Sequence, residues 1–292
     1  MDYRKIEAGT EKQKIPVFCF FYKIEYMQLE NICTKVNELV QSTGDFILGE
    51  KNKINDKVIE SKGTHDFVTY VDKTAEKLLV EGLSSILPEA GFIAEEGTAN
   101  QKGETYDWII DPLDGTTNYI HGLSPFAISV ALRRKDKIIL GVVYEMSLKE
   151  LFYSWENAPA YLNRKAIKVS SVSEMHTALI ATGFPYYQFD DFEQYMFVLM
   201  HFMKNSAGIR RLGSAATDLA YLAAGRFEAF FESALHAWDV AAGAFIVQQA
   251  GGKITDYNGG DNWLFGGQIV AGNSMIYEEF FKFVNQKLGS NG

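Results

Sequence analysis

The chain has 292 residues, with 37 Asp and Glu against 28 Lys and Arg and a formal charge of −9. Hydrophobic residues at 47% and charged residues at 22% describe a globular chain of one large or two small domains, and exclude disorder, collagen-like repeats and coiled coils. The acidic balance, with no basic stripe, argues against nucleic acid as the main ligand but leaves room for phosphorylated ligands reached through divalent cations. Cys19 and Cys33 lie in no CxxC or Cys/His cluster, so neither a disulfide framework nor a zinc site is expected, and a reducing, cytoplasmic location fits. The apolar run Ile15 to Tyr22 is broken by Pro16 and falls far short of the ~20 residues that span a bilayer, so no membrane partner is expected.

In chain order, residues 1–26 stand apart, with a polar start and an aromatic knot from Val17 to Tyr22. They read as an N-terminal extension, disordered or not native, with Met27 as an alternative start. From Leu29 through Ile32, Val36, Leu39 and Val40 the apolar steps of three and four predict a helix, with Gly44 as an interruption, and a polar connector runs from Lys51 to Lys62. A second helix is predicted from about Lys73 to Leu87, with Asp72 as its N-cap and Pro88 as its stop. Gly91 to Ala94 and Trp108 to Ile110 read as buried strands that end in carboxylates. Phe126 to Leu132, Ile138 to Tyr144 and Glu150 to Ser154 read as an antiparallel meander with a turn at 135–137. The pattern relaxes around 160–174, which suggests two halves, 27–165 and 166–292. A helix from Ala215 to Ala224, a strand from Ala229 to Glu232 and a helix from Val240 to Ala250, closed by Gly251 and Gly252, follow. Strands without helices between them indicate an α+β layered sandwich rather than a doubly wound sheet.

The stretch from Trp108 to Asn118 carries most of the chemical signal. A buried strand delivers Asp111, Pro112 is expected to stop that strand, and Asp114 follows three residues on, so that two carboxylates converge where cations are required. Gly115 permits close backbone approach, and Thr116-Thr117-Asn118 opens a helix whose free N–H groups suit an anion. Taken alone, D-P-x-D-G reads equally as a surface turn. Glu95-Glu96 at the end of the preceding strand brings two more acids to the same edge, although paired glutamates also occur as a solvated face. Asp239, at the start of a helix, suits an N-cap and a ligand alike. Oxygen donors without His or Cys select Mg²⁺ or Mn²⁺ over zinc.

These residues resemble the motifs of the inositol monophosphatase family. One motif corresponds to Trp108 through Asn118, and a second to Trp238-Asp239-Val240-Ala241-Ala242-Gly243 through Ala250-Gly251-Gly252. Supporting matches are Asp66-Phe67-Val68-Thr69 with Asp72, Glu95-Glu96, and Gly213-Ser214-Ala215-Ala216 with Glu232. The resemblance implies a layered α/β/α/β/α sandwich of the sugar-phosphatase type. It also implies that Glu95, Asp111 and the Leu113 carbonyl hold one Mg²⁺, that Asp111, Asp114 and Asp239 hold a second, and that a weaker third ion sits near Glu95. By the same resemblance Thr116, Asp72 and Glu95 orient the attacking water, the Gly115 and Thr116 amides hold the phosphate, and Ala215 and Glu232 meet the hydroxyls of the leaving alcohol. The 27–165 half would then carry most metal ligands, and the 166–292 half Asp239 and the substrate contacts. In such a site one ion activates water and the other neutralises the leaving oxygen, with no covalent enzyme intermediate.

The implied activity is hydrolysis of inositol 1-phosphate or a similar polyol or sugar phosphate, in a lithium-sensitive homodimer. Fructose 1,6-bisphosphate, histidinol phosphate and NADP are rival esters. An accessory protein-binding role is the alternative of another class, since some relatives serve as subunits of transcription complexes. Outside the motifs, His65 and His121 lie near the site, Arg210-Arg211 suits a second phosphate, a dimer partner or solvent, and Lys62 suits the surroundings of the third ion. Phe184, Tyr186, Tyr187 and Phe189 suit a pocket edge or a buried cluster.

Overall fold

Apolar residues at three- and four-residue steps wind the first long element, α1 (Val17–Glu50), and bury Leu29, Ile32, Val36, Val40 and Ile47 along one face. The computed structural model describes residues 17–51, 59–63, 66–99, 101–184 and 191–289, with side chains for 28–51, 70–99, 101–184 and 191–289. Residues 17–26 of the expected extension form the opening turns of α1, and residues 1–16 lie outside the described residues. The helix continues through Gly44, where an interruption was expected. An added Cβ there would sit 2.6 Å from the Tyr144 ring, so the glycine is explained by close packing against a strand.

The connector that read as polar ends in a strand, β1 (Ile59–Gly63), antiparallel to β2 (Asp66–Thr69) just beyond it. Helix α2 (Tyr70–Ile86) starts three residues before the expected point. Asp72 is therefore not an N-cap; it lies within the first turn and is buried.

A seven-stranded sheet follows. Strand β3 (Gly91–Ala94) is parallel to β4 (Tyr106–Asp114), and after the short helix α3 (Thr116–Ile120) come β5 (Ala127–Arg134), β6 (Lys137–Glu145), β7 (Glu150–Trp155), β8 (Ala160–Leu162) and β9 (Lys165–Ile167), each antiparallel to the one before. The expected meander is present, and two further short strands occupy the region that read as relaxed. Alternation along these strands supplies two faces. Trp108, Ile110, Ile128, Val130 and Leu132 join the core under α1 and α2, while Ile109, Ala127 and Ala131 face the other way.

The second sheet has the order β11-β10-β12-β14-β13. It is built from β10 (Leu179–Thr182), then, after α4 (Phe192–Asn205), β11 (Gly208–Arg210), and after α5 (Ala215–Ala223), β12 (Ala229–Ser233). Helix α6 (Ala237–Gln249), β13 (Lys253–Thr255), β14 (Gln268–Gly272) and α7 (Tyr277–Leu288) complete the chain. Helices α5 and α6 pack between the two sheets, and α4 and α7 cover the outer face of the second. The result is the five-layer α/β/α/β/α sandwich, α1 and α2 outermost on one side and α4 and α7 on the other. Gly141 of β6 lets α6 come close, since a Cβ there would lie 2.8 Å from the Ala242 carbonyl oxygen. Among the described residues no helix is long and apolar enough to cross a membrane.

Candidate active site

Strict alternation would send Asp111 and Asp114 to opposite faces of β4. The strand does not stop at Pro112, as the sequence suggested, but runs on to Asp114 with a shift of register. Asp111 pairs with Ser129 and Asp114 with Ala127, so three steps on β4 oppose two on β5. This bulge accommodates a proline that cannot donate to the ladder, and its extra residue returns Asp114 to the face of Asp111. Both acids thereby point toward the α5/α6 layer. Asp111 is buried, and its Oδ1 accepts the Leu113 N–H at 2.8 Å.

Helix N-termini meet these acids. The Asp114 Oδ2 accepts the Ser214 hydroxyl at 2.6 Å and the Ala216 N–H at 2.8 Å, which ties the bulge to the start of α5. Ser214 is the N-cap of that helix, and its hydroxyl oxygen also accepts the Thr217 N–H at 3.3 Å. Asp239 lies in the first turn of α6, where His236 is the cap, and its Oδ2 accepts the His236 N–H at 2.6 Å. The α6 start is anchored to the sheet, since the Ser129 hydroxyl donates to the Trp238 carbonyl at 3.0 Å. Asn118 joins the loops, donating to the carbonyls of Pro125 and Leu212 at 2.8 Å each.

Glu95 follows β3, whose parallel pairing with β4 sets it beside Asp111; its N–H reaches the Ile110 carbonyl at 3.3 Å. The turn after it is held by Glu76, a fully buried residue of α2 whose carboxylate accepts the Glu96 N–H at 2.7 Å, the Thr98 N–H at 2.8 Å and the Thr98 hydroxyl at 2.7 Å. On the opposite side Gly115 takes a left-handed conformation, φ 88°, ahead of α3. The single hydroxyl proton of Thr116 has two acceptors in reach, Asp72 Oδ1 at 3.0 Å and the Leu113 carbonyl at 2.9 Å.

Burial and crowding raise Asp111 and Asp114. Asp111 is pushed well above the ordinary carboxylate range by desolvation, then by Glu95, Asp114 and Asp239. Asp114 is raised to about 7 by desolvation and Asp239, against the Ser214 and Ala216 hydrogen bonds and the Arg211 charge. Four hard-oxygen carboxylates that repel one another, the innermost with no cation among the groups that set its charge, form a donor set suited to Mg²⁺ or Mn²⁺. Among the described residues no three His, Cys, Asp or Glu side chains are already gathered at ion-holding distances; Asp111, Asp114 and Asp239 are each bonded to backbone instead.

Ala215 is the first residue of α5 and is buried. Glu232, near the end of β12, is raised to about 8 by burial and by Asp239 and Asp114, with Arg211 opposing. Arg211, for which a second phosphate, a dimer partner and solvent were the expectations, is exposed, and its charge acts on Glu232, Asp114 and Asp218 from within this chain, with its guanidinium 5.7 Å from the Phe184 ring centre. Tyr186, Tyr187, Phe189 and His65, and the side chains of Lys62 and Asp66, lie outside the described residues; His121 is exposed at the end of α3. Sequence reading missed Glu76, Asp218 and the bracing role of Ser214. Only Ser214 left a signal, as a capping residue before an apolar helical run. Asp218 is fully buried, with its Oδ1 lacking a hydrogen-bond partner, and is raised by desolvation and by Glu232.

Comparison with known proteins agrees with the geometry. The sequence model of the inositol monophosphatase family matches residues 28–288. An inositol-1-monophosphatase of Mesorhizobium japonicum is 36% identical over 259 residues, covering 87% of this chain and 97% of the relative. A putative Nus factor SuhB of Neisseria meningitidis is 39% identical over 83% of this chain and 93% of its own length. Among solved structures, the Thermotoga maritima IMPase superposes with a TM-score of 0.78 at 34% identity, covering 86% of this chain and 96% of that one. The Bartonella henselae suhB protein gives a TM-score of 0.81 at 34% identity, over 89% and 99%. The match over nearly the whole described chain, in sequence and in fold, places this protein in the inositol monophosphatase family.

Proposed function

We propose that the chain is a Mg²⁺-dependent phosphomonoesterase that hydrolyses inositol 1-phosphate or a similar polyol or sugar phosphate. The observation that carries this reading is the bulge in β4, which turns Asp111 and Asp114 to one face beside Asp239 and Glu95. In this reading Glu95, Asp111 and the Leu113 carbonyl hold one ion, Asp111, Asp114 and Asp239 a second, and the neighbourhood of Glu95 a third. Bound there, the ions would supply Lewis-acid polarisation of the phosphate and acidify water. The protein groups do the rest. When the Thr116 hydroxyl donates its hydrogen bond to Asp72, the lone pairs of Oγ1 accept a hydrogen bond from the attacking water and aim it, with Glu95 as its other partner. The Gly115 and Thr116 amides donate to phosphate oxygens, an arrangement that the left-handed Gly115 opens. Ala215 and Glu232 meet the hydroxyls of the alcohol.

The test is phosphate release by the purified protein from inositol 1-phosphate, fructose 1,6-bisphosphate, histidinol phosphate, NADP and 3′-phosphoadenosine 5′-phosphate, with Mg²⁺ and with EDTA. The expected result is EDTA-sensitive release led by inositol 1-phosphate. Release led by another ester keeps the chemistry and changes the substrate, and no release from any ester overturns the reading. Lithium is expected to inhibit by competing for a Mg²⁺ position. A second reading is favoured by relatives named Nus factor SuhB at 38–39% identity, which support an accessory protein-binding role alongside or instead of hydrolysis. Self-association into a homodimer belongs to the same proposal, supported by the outward apolar side of α4, where Phe192, Met196, Met200 and Met203 are exposed.

A further inference from the structure

Strands β10 and β12 run parallel, with Thr182 paired to Phe231, so the next residues along, Gly183 and Glu232, come side by side just past the end of β10 and one residue before the end of β12. Gly183 is not in the left-handed region, and no turn demands a glycine there. What demands it is the neighbour: a Cβ on Gly183 would fall inside the carboxyl group of Glu232. The backbone at this point is fixed. The buried Tyr195 hydroxyl donates to the Gly183 carbonyl at 2.7 Å, and the Thr182 hydroxyl lies 2.8 Å from the Phe231 carbonyl oxygen. If Gly183 gained a side chain, the flexible end of Glu232 is therefore the part that would give way.

We propose that Gly183 is a specificity-determining position, whose missing side chain seats the Glu232 carboxyl group against the end of β10 in the place from which it reads the leaving alcohol. The proposal rests on the reading of Glu232 given above. Gly183 touches no reacting atom; it acts through Glu232 and is a positioning residue. Since alanine suits the backbone there, Gly183→Ala displaces the carboxyl group without unfolding the strand end.

The experiment compares wild type, Gly183→Ala, Glu232→Ala and the double variant, using inositol 1-phosphate and phenyl phosphate, whose leaving group carries no further hydroxyls. Gly183→Ala is expected to raise KM for inositol 1-phosphate on the order of tenfold, as for a lost hydrogen bond to substrate, and to lower the preference for it over phenyl phosphate. In the double variant the alanine is expected to add nothing to the effect of Glu232→Ala. A wild-type KM in Gly183→Ala, or losses that add in the double variant, would overturn the proposal. If Glu232→Ala itself leaves the preference intact, the reading of Glu232 fails, a result separate from the coupling. Thermal melting without substrate gives an independent readout. Any loss of melting temperature in Gly183→Ala is expected to disappear in the double variant, and a loss that persists there overturns the claim that the alanine meets Glu232.

Discussion

Asp111 has its charge set by Glu95, Asp114 and Asp239 and by burial, all raising its pKa. Asp111→Asn removes the charge while an amide oxygen still accepts the Leu113 N–H. Turnover is expected to fall by at least on the order of 10²–10³, measured as phosphate release, while the circular dichroism spectrum is retained. The raised acids also fix a pH dependence. Asp114 rises from 3.8 to about 7 and Glu232 from 4.5 to about 8, so the folded metal-free chain binds more protons than the unfolded one. Their contribution to stability is present below about pH 4 and is lost as pH rises through 7 to 8. In EDTA the urea midpoint is expected to fall between pH 5 and pH 8.5, and Asp114→Asn to flatten that slope. If Mg²⁺ binds these carboxylates as proposed, it competes there with protons and should restore stability more at pH 8 than at pH 5; equal restoration at both would remove the carboxylates as its site. At this scale the sequence displayed the acids through D-P-x-D-G and Trp-Asp, short patterns with their own chemistry. Glu76 and the Ser214 bond to Asp114 were not legible, because their partners lie 22 and 100 residues away.

Among the elements, α1, α2, α5 and α6 were legible in the sequence, while α4 and α7 were not read as helices. The faces of α1 and α2 show in three- and four-residue spacing, and α5 and α6 are apolar nearly all round, whereas β8, β9 and β11 are three residues each, too short for alternation to register. The hairpin Ile59–Gly63 with Asp66–Thr69 escaped for a related reason, since Ile-Glu-Ser-Lys-Gly carries one apolar side chain. Pro112 misled in an informative way. It was expected to end a strand, and the chain instead absorbs it in the bulge that brings the two aspartates to one face. Helix α6 supplies the third acid from its first turn, so its seating on the sheet bears on the site. Gly141→Ala places a methyl group 2.8 Å from the Ala242 carbonyl oxygen, backbone that cannot swing aside. The cost expected is about 1–3 kcal/mol of folding stability, read by urea denaturation, with reduced phosphate release because Asp239 shifts with the helix. Unchanged stability would mean that α6 does not depend on Gly141 for its approach.

For the molecule as a whole, the five layers put one acid-lined edge of the first sheet under the N-termini of α5 and α6 and leave α4 and α7 as the outer cover of the second sheet. The layer order was legible through the resemblance carried by the motifs; most of the second sheet was not, because its short, largely buried strands carry no motif. Helix α4 is apolar on two sides. Tyr195, Val198, Leu199 and Phe202 are buried inward, while Phe192, Met196, Met200 and Met203 stand 39%, 40%, 47% and 65% exposed. The outward four recur at steps of four, four and three, a stripe along one face of the helix. Single exposed apolar residues are ordinary, but such a stripe suits an interaction surface, and in the homodimer proposed above a second copy would cover it. Light scattering after size exclusion is therefore expected to give twice the 32.8 kDa chain mass for wild type and the single mass for Met200→Glu, since two facing stripes would each bury a carboxylate with no partner. A dimer that survives Met200→Glu and Met196→Glu together would move the interface off α4, and a monomeric wild type would leave the stripe to a different protein, as the accessory reading requires.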